Sequence, residues 1–304
     1  MGMSLKANRS RWLILTTVML LAGAALVFAN PLSRDVTQDT APTVTEDVNP
    51  DAEVASMPRV RPSSIAEVLQ LAGEAKANMS SSLEDYTTRF VKQERNPDGK
   101  LSEKSEMSLK VQTRMRNESD DAPMRIYMKF ARPESSAGRE VIWGGDLYDG
   151  NMAVHENTML LSWKTLWLDP DGMLAMNGQR YPIYEIGLVR LVEKLIERGS
   201  EDVNNPDVSV TITRDHEFDS AACELIRVTR QTPSGREGDF SLAEVVYDPE
   251  RLLILSYRSF GWPDAEGESK ELPLLESYEY RDLKTNVGLS EQDFDVSNPE
   301  YQFP

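Results

Sequence analysis

Apolar and polar residues alternate along most of the chain, and one helical period interrupts the alternation in the middle. Met107, Leu109 and Val111 alternate with Ser108, Lys110 and Gln112, and Ile126, Met128 and Phe130 alternate with Tyr127 and Lys129. Tyr86 to Glu94, Arg139 to Trp143, Met152 to His155 and Leu160 to Leu168 read as further strands. After the interruption come Val208 to Ile212, Cys223 to Arg230, Phe240 to Tyr247, Leu252 to Phe260 and Leu275 to Asp282. A period of two gives each strand one dry and one wet face. In the middle, Leu188, Leu191, Val192, Leu195 and Ile196 follow the i, i+3, i+4 rule and predict a helix over about 183–198. Leu191 and Leu195 are expected to be buried and Arg190 and Lys194 exposed, with Gly199 as the C-cap. A first helix starts at Ser64-x-x-Glu67, a capping-box spacing. The expected class is α+β: a single curved antiparallel sheet, an unclosed β-barrel, with helices covering the concave face.

Two stretches precede the folded part. Residues 1–29 read as a signal peptide or N-terminal anchor, with Lys6, Arg9 and Arg11 ahead of an apolar run from Trp12 to Phe28. Either outcome exports the rest to the periplasm or cell envelope, and an uncleaved segment 12–28 would tether it to the inner membrane. Residues 30–62, rich in Pro, Thr and acid and without an aromatic, read as a disordered linker. The net charge is −17 over 304 residues. Cleavage would also remove three of the few clustered cations, so nucleic-acid binding is excluded as a function class. The single cysteine, Cys223, rules out an intramolecular disulfide and reads as an inert buried thiol.

Catalytic signatures are missing: no nucleophile elbow, zinc helix, phosphate loop or C-x-x-C pair occurs. His155 lies on a strand, and His216 lies among Asp215, Glu217 and Asp219 in a solvated turn, so neither metal nor cofactor is expected. Asp169-Pro170-Asp171-Gly172 reads as a turn. What stands out is methionine between positions 107 and 176, interleaved with Trp143, Trp163 and Trp167. Flexible thioethers and broad aromatics suit apolar ligands of variable shape. Met107, Met128, Phe130, Trp143, Trp163 and Trp167 are the expected ligand-binding residues, facing the concavity of the sheet.

Four stretches carry a resemblance: YTTRFVKQERNPDGKLSEKSEMSLKV from Tyr86, REVIWGGDLYDGNMAVHE from Arg139, WLDPDGMLAMNGQRYPIYEIG from Trp167, and LKTNVGLSEQDFDVSNP from Leu283. Residues 63–304 resemble the periplasmic carrier and receptor proteins for outer-membrane lipoproteins. The third stretch is closer to an uncharacterised family of exported bacterial proteins, a domain of unknown function in that superfamily. The resemblance implies an unclosed barrel, a helical lid and a cavity for acyl chains. It also places a cavity arginine near Lys110 to Arg116, where Arg114 and Arg116 compete and an acidic insertion follows. The expected function is non-catalytic binding of a lipid or lipoprotein acyl chain by a monomer. The alternative is an envelope sensor or interaction module on the same scaffold. An exposed apolar rim beside the cavity favours hand-over, and a sealed cavity favours sensing.

Overall fold

Strands with one dry face must pair until that face is covered, and here they pair into one sheet. The computed structural model describes residues 60–96, 98–114, 122–236, 238–263 and 271–304. Its strands are β1 (Val60–Ser63), β2 (Asp85–Glu94), β3 (Ser105–Gln112), β4 (Arg125–Arg132), β5 (Glu140–Gly144), β6 (Met152–His155) and β7 (Leu166–Leu168). The second half supplies β8 (Val208–Phe218), β9 (Ala221–Arg230), β10 (Leu242–Asp248), β11 (Leu253–Phe260) and β12 (Leu274–Thr285). All twelve lie in one antiparallel sheet, ordered β1-β8-β9-β10-β11-β12-β2-β3-β4-β5-β6-β7. The β12–β2 pairing joins the two halves, and β1 and β7 stay as edges, so the sheet is an unclosed barrel. The α+β class expected from the alternation is the class observed.

Two helices, α1 (Ile65–Ser82) and α2 (Leu188–Ser200), pack on each other and on β11. Ser64 caps α1 by accepting from the Glu67 N–H at 3.2 Å. The start of α2 has no side-chain cap of its own. Gly187, at φ 125° where a Cβ would be strained, turns the chain into it. The buried hydroxyls of Tyr280 and Tyr86 accept the Gly187 and Leu188 N–H groups, each at 3.2 Å. The sheet itself therefore satisfies the orphan donors of this helix.

Several details differ from the sequence expectation. Gly199 is not a C-cap but lies inside α2, where a Cβ would come within 3.0 Å of Leu69 on α1. Its function is close helix packing. Leu188 and Val192 are the buried residues of α2, whereas Leu191 and Leu195 are half-buried along with Arg190 and Lys194. The helix rides at the edge of the concavity, so one side of its apolar stripe faces a groove. The predicted linker ends too late: Val60–Ser63 pairs with β8. Pro62 is tolerated there because an edge strand leaves its outer side unpaired. The strand expected over Leu160 to Leu168 shrinks to Leu166–Leu168. Before it, Ser162 closes a turn by donating to the Thr158 carbonyl at 2.8 Å. The expected signal peptide or anchor over 1–29 and the linker over 30–59 lie outside the described residues.

One wet and one dry face holds for much of the sheet but fails in β4–β6. All residues of β5 and β6 are buried. The inner face joins the main core, while Tyr127, Ile142 and Ala153 on the outer face are covered by Phe294, Val296, Tyr301 and Phe303. The C-terminal stretch is stitched on by polar contacts as well. Asp85 accepts from the Val287 and Leu289 N–H groups (2.6 and 2.8 Å), Lys110 pairs with Asp293 (2.7 Å), and the fully buried Glu140 accepts from the Gln302 N–H (2.9 Å).

Candidate functional site

Inward side chains of β3 to β6 form the floor of a cavity. Met107, Met128, Phe130, Val141, Met152 and Val154 lie on it, and Leu174, Ala175, Ile183 and Ile186 form its opposite wall. The space is about 230 Å³. The opposite wall belongs to the irregular connection between β7 and α2. Its Asp169 begins a turn, accepting from the Asp171 N–H at 2.9 Å through its side chain and from Gly172 at 2.9 Å through its carbonyl. That turn, read correctly from the sequence, is held by Tyr184, which donates to Asp171 at 2.6 Å.

Of the predicted ligand-binding residues, Met107, Met128 and Phe130 come together in this cavity. Trp143 faces inward but lines a neighbouring cavity of about 320 Å³ with Met124, Tyr184 and Leu188. Its indole N–H donates to the Gly150 carbonyl at 3.1 Å. Trp167 lies elsewhere: between the inward Leu166 and Leu168, alternation turns it outward, where its ring meets Tyr148 at 4.9 Å. Trp163 is also outside, 69% exposed in the turn before β7. Met159, Leu160, Met173 and Leu174 are exposed apolar side chains as well, and of these Leu174 lines the cavity. Arg114 borders the Trp143 cavity and pairs with Glu193 at 2.7 Å, and Arg116 lies outside the described residues.

Sequence reasoning missed a polar cluster beside the cavity. Glu94 on β2 and Glu276 on β12 are cross-strand partners on the concave face, both almost fully buried. Tyr278 donates to Glu94 at 2.6 Å and to Glu276 at 3.1 Å. Lys92 approaches Glu94 at 3.1 Å, and Arg198 of α2 donates to Glu276 at 3.1 Å. The Gln-Arg-Tyr of the 167–187 stretch docks onto this cluster. Gln179 accepts from Lys92 (2.7 Å), the Arg180 N–H donates to Glu94 (3.2 Å), and the Tyr181 hydroxyl binds both Glu276 (3.3 Å) and Arg198 (2.9 Å). Burial would lower the Arg198 pKa, but Tyr257 and Glu276 outweigh it and hold the guanidinium charged. Burial, with Glu276 and Glu94 beside it, drives the Tyr278 hydroxyl strongly upward, so it stays a donor. The signal was present in the chain. The inward register of β2 runs Tyr86, Phe90, Lys92, Glu94, so two charges stand at positions that alternation assigns to the core.

Other reactive groups are quiet. Burial pushes the Cys223 thiol up to about 11, which leaves it protonated. Burial and then Arg227 hold the His216 imidazole below its usual value. Among the described residues no group of His, Cys, Asp and Glu is arranged to hold a metal ion, and no helix is long and apolar enough to cross a membrane.

No curated protein matches the chain. The solved structures it is similar to at low identity include three bacterial proteins. One is a DUF1329 family protein from Desulfovibrio piger, 14% identical, covering 76% of this chain and 97% of that one, with a TM-score of 0.33. Another is a putative outer membrane lipoprotein-sorting protein domain from Vibrio parahaemolyticus, 12% identical over 76% and 97%, with a TM-score of 0.35. The third is a LolA superfamily protein from Nitrosomonas europaea, 11% identical over 77% and 98%, with a TM-score of 0.28. Residues 83–303 match the family described as a protein of unknown function, DUF1571. That match spans most of the chain and the floor, wall and polar cluster of the site: the chain belongs to the DUF1571 family.

Proposed function

We propose that the protein is a non-catalytic binder of an apolar cargo, an acyl chain of a lipid or lipoprotein, exported to the cell envelope and acting there as a monomer. The observation that carries this reading is the methionine-floored cavity with an exposed apolar side chain on its wall. Met107, Met128 and Met152 line the cavity, and Leu174 both walls it and stands 76% exposed. Burying methylenes yields ~0.8 kcal/mol each, so a chain leaving a membrane needs a water-excluding site of this kind. Thioethers adapt to a chain with many rotamers. The exposed Leu174 on the cavity wall favours hand-over to a membrane or partner over a sealed sensor.

A neutral fluorescent probe, N-phenyl-1-naphthylamine, tests the reading. Wild type is expected to bind it at about micromolar affinity. Met128→Glu places an unpaired carboxylate in the cavity and should abolish binding. Trp163→Ala, outside the cavity lining, should leave probe binding unchanged. Circular dichroism of each variant separates lost binding from lost fold. Wild type that stays folded and binds no probe refutes the reading.

A further inference from the structure

In a chain of net charge −17, one end of the concave groove gathers cations. Next to the Glu94–Glu276 cluster lies an open cavity of about 520 Å³ lined by Arg95, Arg180, Lys194 and Arg198, with Glu197 and Glu201 as its acids. Glu201 is already paired with Arg236 at 2.8 Å, outside the cavity lining. Among the described residues Lys194 has loose partners alone, Glu197 at 3.6 Å and Glu185 at 3.9 Å. The Arg95 side chain donates to backbone carbonyls, those of Leu274 (2.9 Å) and Gly99 (2.6 Å). Its charge is therefore uncompensated by any carboxylate hydrogen bond among the described residues.

The cationic end adjoins apolar space. A groove under α2 joins it, where Phe90, Ile186, Leu191, Leu195 and Tyr280 supply the apolar walls. Lys194 and Arg198 are common to that groove and to the cationic cavity. Tyr181 lines both of these and the methionine-floored cavity, so the three spaces meet at one side chain. The half-buried state of Leu191 and Leu195 has its place in this arrangement, because they wall the groove. The buried carboxylates have a place too. Glu276 lies 3.1 Å from the Arg198 guanidinium and 3.7 Å from that of Arg180, which also donates to Tyr181 at 3.1 Å, so both groups are held beside the cavity.

We propose that this is the headgroup end of the binding site, and that the cargo is an anionic amphiphile. Its phosphate or carboxylate sits among Arg95, Arg180, Lys194 and Arg198, and its chain runs beneath α2 towards Met107 and Met128. The proposal rests on the apolar-cargo reading and adds the chemical class of the cargo.

Oleate and oleyl alcohol share a chain and differ in charge, so titrating each against the full folded protein, with tryptophan emission as readout, tests it. Oleate is expected to bind about tenfold more tightly at low salt, and the advantage should shrink as salt screens the site. In an Arg95→Gln, Lys194→Gln double variant oleate should lose its advantage and the two affinities should converge. These two residues contact neither buried carboxylate, so the fold is expected to persist, and circular dichroism checks it. Equal binding of oleate and alcohol by wild type overturns the headgroup inference and leaves the apolar-cargo reading standing. Binding of neither overturns both. Inorganic phosphate is the third arm. If it binds at micromolar concentration and displaces no oleate, the cations form a free-anion site and the amphiphile proposal is overturned. Competition with oleate supports it.

Discussion

The two ends of the concave face are covered in different ways, and the difference shows where binding space comes from. Over β8 to β11 the cover is α1 with α2, and Ala75, Val192 and Ile212 are completely buried. Only about 70 Å³ remains there. Over β3 to β6 the cover is the connection from Leu168 to Ile186, interrupted by Pro170, Gly172, Gly178 and Pro182, and about 230 Å³ stays open. A helix presents side chains at a fixed spacing that interdigitates with a sheet. An irregular segment has to satisfy its own backbone first, here through Asp169 and Glu94, and its side chains follow no packing period. The open end keeps its shape because β4 to β6 are buried on the outer face as well, by the C-terminal stretch around Phe294.

The sharpest way to break this comparison is a pair of truncations measured by chemical denaturation. Ile212→Ala, at the filled end, should cost about 4 kcal/mol, whereas Met128→Ala, whose side chain already borders empty space, should cost about 2 kcal/mol. Equal costs would mean that the two ends are packed alike. Within α2 the same logic grades three positions. Leu188→Ala should cost about 3 kcal/mol, Leu195→Ala about 1.5 kcal/mol because it walls the groove, and Lys194→Ala less than about 0.5 kcal/mol. Thermal melts giving Leu195 the larger effect would return it to the core and close the groove.

The smallest effect tests the outer cover and depends on pH. Burial alone would raise the Asp293 pKa, but Lys110 and the Ser290 N–H and hydroxyl hold it below its ordinary value. A carboxyl depressed by folding stabilises the protein above the unfolded value, near 3.9, and loses that contribution as pH falls through the folded value. Asp293→Asn should therefore cost about 1 kcal/mol at pH 7, and its deficit relative to wild type should shrink below about pH 4. A deficit that stays constant from pH 7 to pH 3 would show that the Lys110 ion pair does not hold the cover.

The helical face of α2 was legible because five aliphatic positions repeat at its period, and the partners of Met107 and Met128 were legible because β3 and β4 alternate without a break. Trp163 and Trp167 were misassigned because their composition suggested a pocket while their positions did not: Trp167 falls between two inward leucines, and Trp163 precedes the strand altogether. The strand alternation read in β4 to β6 hid a second apolar face, since Tyr127 and Ile142 read equally well as partly exposed positions until the distant residues around Phe294 arrive to cover them.

Local pattern by itself determined the α+β class, the inward register of most strands and the interrupting helix, because a two-residue or 3.6-residue period is a property of neighbours along the chain. Only the tertiary structure decided the site. Glu94 and Glu276 lie 182 positions apart and become partners through the single β12–β2 pairing that joins the halves. Arg180, Tyr181 and Arg198 reach them from a third segment. No period links such residues. What brings them together is the energetic requirement that two carboxylates, once carried into a core by strand register, find cations and hydroxyl donors there.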